Sequence, residues 1–93
     1  MNRKTKIEKM IHSCFQPYFC SVKDVSEQHR GHQSFKENVE SHFEIIIVSQ
    51  KFDNKSKIIR HRMINEGLQK EFQSDLHSVT IKAHTIDEYK KIN

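Results

Sequence analysis

The sequence predicts an α+β domain of order α-β-β-α-β-α, with helices packed on a three-stranded mixed sheet. Three observations carry this. An apolar stripe with helical spacing opens the chain at Ile7, Met10, Ile11, Cys14 and Phe15. Residues 42–49 are apolar on both faces, Phe43, Ile45 and Ile47 pointing one way and Ile46 and Val48 the other, which points to a central strand covered at least partly on each side. A helical pattern over residues 57–72 separates that strand from a third at 77–83, and a helical crossover favours a parallel neighbour. A chain of 93 residues has room for one small core, so residues 1–93 are expected to form a single domain.

Taken in order, the first helix carries a capping-box pair, Thr5 and Glu8, while Asn2 offers a start one turn earlier. Pro17 ends it, because the residue before a proline avoids the helical region. Cys14 lies in the apolar stripe and is expected to be a buried small hydrophobe. Residues 18–25 read as a strand with Tyr18, Cys20 and Val22 on one face, Cys20 again packing. This strand and the one at 42–49 should form an antiparallel pair. The connection between them, residues 26–41, is long and polar, and it holds His29 and His32.

Residues 51–56 read as a turn, with Asn54 suited to a left-handed conformation. In the helix at 57–72, Ile59, Met63, Leu68 and Phe72 can share an apolar face. Gly67 costs about 1 kcal/mol against alanine there, so a bend or early end is expected. Val79, Ile81 and Ala83 share one face of the third strand. Thr85 and Glu88 have capping-box spacing and start a short final helix.

Composition narrows the function. The longest apolar run, Ile45 to Val48, is far short of the ~20 residues of a membrane span. The basic start, residues 1–6, is followed by no long apolar stretch, which argues against a signal peptide. Two cysteines cannot build a disulfide framework, so reduced thiols and a cytoplasmic setting are expected. No phosphate loop, HExxH, CxxC or nucleophile elbow is present, and an enzyme is not expected. A net charge of +4 tolerates an acidic partner without demanding one. Its clearest concentration is Lys51, Lys55, Lys57, Arg60 and Arg62, in the turn and the following helix, with His61 between the arginines. Basic residues at a helix start can engage phosphates or an acidic protein surface. The sequence lacks the GxxG loop that clamps backbone phosphates, and it shows no aromatic stacking platform with interleaved basic residues.

Seven histidines are the unusual count. His12 and His84 read as surface residues, and His42 as a strand-start residue held by a structural hydrogen bond. His77 opens the third strand.

Phe15-Gln16-Pro17 with the strand behind it, Glu40-Ser41-His42-Phe43, Val48-Ser49, Phe52-Asp53, Arg60-His61-Arg62, His77 and residues 85–89 together resemble the BolA family, over about residues 3–90. The sequence departs from that pattern at Asn54, where glycine is commoner, and at Val25, which interrupts an acidic-plus-serine strand end. It departs again at His77-Ser78-Val79-Thr80, where the family tends to His-Ala-Leu-Ser. The resemblance implies a class II KH-like fold. It also implies a partnership with a monothiol glutaredoxin around a bridging [2Fe-2S] cluster shared with glutathione, a cluster not expected in the isolated chain. By position the donors would be His77 and His29, with His32 as a nearby substitute. The family's other attributed role, a DNA-binding transcriptional regulator of stress response and cell morphology, would make DNA the partner of the basic helix.

Overall fold

The computed structural model describes residues 3–25, 42–72 and 78–92. Its elements are α1 (Arg3–Phe15), β1 (Phe19–Asp24), β2 (His42–Val48), a 3₁₀ turn (Gln50–Phe52), α2 (Lys57–Phe72), β3 (Ser78–His84) and α3 (Ile86–Ile92). The sheet order is β1-β2-β3, with β2 in the centre. β1 runs antiparallel to β2 with Phe19 opposite Val48 and Asp24 opposite Phe43. β3 runs parallel to β2 with Ser78 opposite His42 and His84 opposite Val48. The order and both strand directions are those the sequence predicts.

One face of the sheet carries the core. Ile7, Ile11 and Phe15 of α1 and Ile64 and Leu68 of α2 pack on Val22, Phe43, Ile45, Ile47 and Ala83. Strand alternation sends Phe19, Val48 and His84 to the other face. There α3 covers one end of the sheet, with the Tyr89 ring stacked on Phe19 at 5.4 Å.

Several local expectations change. α1 begins at Arg3, so Thr5 lies inside the first turn rather than capping it. Gln16 takes a left-handed φ of 45° before Pro17, and the helix stops there. Cys14 is exposed, not buried; Ile7, Ile11 and Phe15 already fill the contact stripe, and Cys14 sits one position off it. β1 starts at Phe19, and Tyr18 is 58% exposed instead of sharing the core face. Phe52 ends the 3₁₀ turn fully buried and packs on Phe15 at 5.3 Å, so the segment read only as a turn contributes a core residue. Asn54 does adopt a left-handed φ, 62°.

α2 passes through Gly67 without ending. A Cβ at Gly67 would lie 2.5 Å from the Met10 sulfur, so the glycine serves close approach of α1 and α2. Ile64 takes the buried place expected of Ile59, which is exposed. At the domain's seam, Ser49 is fully buried. Its hydroxyl donates to the Phe15 carbonyl at 2.7 Å and accepts from the Lys51 amide at 3.1 Å. It thereby satisfies a carbonyl that the end of α1 leaves without a helical partner.

Candidate functional site

The strand directions gather three chain positions at one end of the sheet. Asp24 pairs with Phe43, the Val25 amide donates to the His42 carbonyl at 2.9 Å, and Ser78 lies opposite His42. The connection holding His29 and His32 runs between Val25 and His42, and His77 directly precedes Ser78. Both stretches therefore join the sheet at this end. His29, His32 and His77 themselves lie outside the described residues. His42, the histidine described at this end, is buried. Among the described residues no three His, Cys, Asp or Glu side chains converge as metal ligands.

The basic cluster divides into two parts. Arg60 is only 6% exposed, and its guanidinium is taken up inside the molecule. Nε donates to the Lys55 carbonyl at 2.9 Å and Nη1 to the Ala83 carbonyl at 3.1 Å. Nη1 and Nη2 bind the two Glu88 carboxylate oxygens at 2.7 and 3.1 Å. One side chain thus joins the start of α2, the end of β3 and the start of α3. Its fork geometry suits a bidentate carboxylate in a way lysine cannot copy. Glu88 closes the capping box the sequence predicts: the Thr85 amide donates to its carboxylate, and its own amide donates to the Thr85 hydroxyl. The hydrogen bond from Arg60, then that from the Thr85 amide, hold the Glu88 carboxyl down at about 2. Arg60 is accordingly a structural residue, not an exposed phosphate contact. The pairing has a sequence signal, an arginine in the first turn of one helix and the capping acid of another, but distance along the chain conceals it.

Lys55, Lys57 and Arg62 remain exposed, and His61 is half-buried. Along the outer side of α2, Ile58, His61, Arg62, Asn65, Glu66 and Gln69 line an open groove of about 550 Å³. Ile58 is 73% exposed, so this helix face has no partner among the described residues.

His12 is exposed and His84 half-buried. His12 reaches across from α1 to β1, where its Nε2 lies 3.6 Å from Cys20 Sγ. Burial, reinforced by the negative charge of Glu8, pushes the Cys20 thiol above its ordinary value. That works against thiolate chemistry at neutral pH. No helix among the described residues is long and apolar enough to cross a membrane.

Comparison with known proteins agrees with this architecture. A family model described as BolA-like protein matches residues 11–88. SufE-like protein 1, chloroplastic/mitochondrial, from Arabidopsis thaliana is 38% identical over 88 residues, 90% of this chain, but the chain spans only 24% of that relative's length. The DNA-binding transcriptional regulator BolA of Vibrio cholerae is 32% identical over 87 residues, covering 94% of this chain and 78% of that protein. Among solved structures, the BolA domain of SufE1 from Arabidopsis thaliana superposes with a TM-score of 0.86 at 39% identity, covering 95% of this chain and 96% of that one. With three helices on a mixed sheet in the same arrangement, the chain belongs to the BolA-like family.

Proposed function

We propose that this chain is a non-enzymatic adaptor that docks on a monothiol glutaredoxin and completes the coordination of a bridging [2Fe-2S] cluster, its cargo. The observation that supports this is the common anchoring of two histidine-bearing stretches beside Val25, His42 and Ser78. His77 is the main donor and His29 the second, with His32 as substitute. A glutaredoxin cysteine and glutathione supply thiolates, and the two imidazoles supply the remaining donors. Imidazole in place of thiolate raises a cluster's potential. Only the neutral ring ligates, so the complex should weaken on acidification through the histidine range. The test is co-purification with a monothiol glutaredoxin and glutathione, read by visible absorption and circular dichroism. Loss of the cluster's spectrum in His77→Ala supports the reading; an unchanged spectrum refutes the assignment.

A second reading, binding of duplex DNA, is favoured by the outer side of α2, where Lys55, Lys57 and Arg62 stand exposed. Asn65 and Gln69 line the same groove as Arg62, and these three are residue types that read base edges. The relatives named DNA-binding transcriptional regulators point the same way. With Arg62 at a base edge, the two phosphate contacts from Lys55 and Lys57 give a log–log salt slope of about −1.8. A flat salt response, or unchanged binding by Arg62→Ala, removes this reading.

A further inference from the structure

At the end of the sheet opposite Val25, His42 and Ser78, the fold assembles an aromatic and basic surface that the sequence keeps apart. Tyr18 is 58% and Phe19 40% exposed. Phe19 and Tyr89 lie nearly parallel, 15° between their planes. The Lys90 ammonium sits 5.8 Å from the centre of the Tyr18 ring. Tyr18 and Lys51 line one groove of about 550 Å³, with Ile86 on its α3 side. The acids of α3 do little to cancel this charge, because Glu88 is held by Arg60, leaving Asp87.

We propose that Tyr18 and Phe19, flanked by Lys51 and Lys90 and backed by Tyr89, form a stacking platform for single-stranded nucleic acid. A carboxylate-rich peptide would satisfy the lysines and leave the exposed ring surface of Tyr18 and Phe19 uncovered. A polynucleotide brings a phosphate and a flat base at every residue and matches both. Stacking on exposed rings next to lysines is the sequence-tolerant way such strands are held. A duplex offers its bases only as edges in a groove, so this surface discriminates against it. The platform shares no lining residue with the groove along α2 and lies at the sheet end opposite the one where the histidine-bearing stretches join, so its success or failure is independent of both readings above.

The chain contains two tyrosines and no tryptophan, and both tyrosines belong to the platform. Its intrinsic emission therefore reports the site directly. Titration of the full chain with a deoxythymidine dodecamer should give saturable quenching of tyrosine emission. Anisotropy of the labelled strand should show a log–log salt slope of about −1.4 for the two lysine contacts. Tyr18→Ala should weaken binding about 5- to 150-fold, the range for losing one stacked base. Tyr18→Phe should retain it. Lys90→Ala should flatten the slope by about 0.7, while the exposed α1 change Lys9→Ala should leave it as it is. Far-UV circular dichroism establishes that each variant is folded. Absence of quenching, equal binding of a duplex of the same length, equal quenching by a poly-glutamate peptide, or full binding by Tyr18→Ala would each overturn the proposal.

Discussion

Replacing Arg60 by methionine isolates what its guanidinium contributes. The side chain is almost wholly buried and makes four hydrogen bonds, two to the carbonyls of Lys55 and Ala83 and two to Glu88. The carbonyl bonds are worth about 1–1.5 kcal/mol each. Glu88 keeps nearly half its surface in water, so screening limits its pairing with Arg60 to about 1 kcal/mol. The sum is about 3–4 kcal/mol. For a domain of this size that lowers the melting midpoint by roughly 12–30 °C.

The pH dependence checks the Glu88 share separately. Its folded-state value of about 2 lies below the ordinary 4.5. The contribution is therefore complete above about 4.5 and disappears as pH falls toward 2. The stability gap between the native chain and Arg60→Met should narrow by about 1 kcal/mol across that window and stay level between pH 5 and 8. Urea unfolding followed by circular dichroism at several pH values measures it. A gap under 1 kcal/mol at pH 7, or one unchanged between pH 5 and pH 2, would refute this account of the lock.

Other consequences follow from single contacts. Ser49→Ala leaves the buried Phe15 carbonyl without its donor and should cost about 1–3 kcal/mol in denaturant unfolding. Gly67→Ala gains about 1 kcal/mol of helix propensity but must displace the Met10 thioether. Pairing it with Met10→Ala, which clears that space, should let the alanine show its full gain, and additivity in a double-mutant cycle would contradict the contact. Exposed Cys14 should react with a disulfide reagent well before Cys20, whose thiol is half-buried and shifted upward. Mass spectrometry of partly modified chain reads the order, and equal rates would contradict it.

The fold was legible because periodicity and connection length report layer and strand direction. Ile45, Ile46, Ile47 and Val48 announced the central strand, and the helix after it announced the parallel neighbour. What escaped was decided by contacts between distant residues. Phe52 looked like part of a turn because its burial depends on Phe15, 37 positions earlier. Gly67 looked like a helix breaker because its partner, Met10, lies on another helix. Cys14 was placed by stripe membership alone, yet the stripe facing the sheet is narrower than the apolar run. The candidate donors His29, His32 and His77 lie outside the described residues. What the structure adds is the shared sheet end to which their stretches connect.

The basic segment shows how a sequence cluster can mix unlike residues. Arg60 and Arg62 stand two apart and appear equivalent, but a two-residue step on a helix turns about 200°. One guanidinium faces the junction of β3 and α3 while the other faces solvent. A double alanine variant would therefore confuse loss of a ligand contact with loss of the junction. Arg60→Ala should lower DNA or partner binding only in proportion to the unfolded fraction, so its effect should vanish at low temperature, where the fold holds. Arg62→Ala should leave the unfolding free energy within about 0.5 kcal/mol of the native chain, as surface substitutions do, and change binding at every temperature. If Arg60→Ala abolished binding in chain that remains fully folded, the assignment of that guanidinium to structure would be wrong.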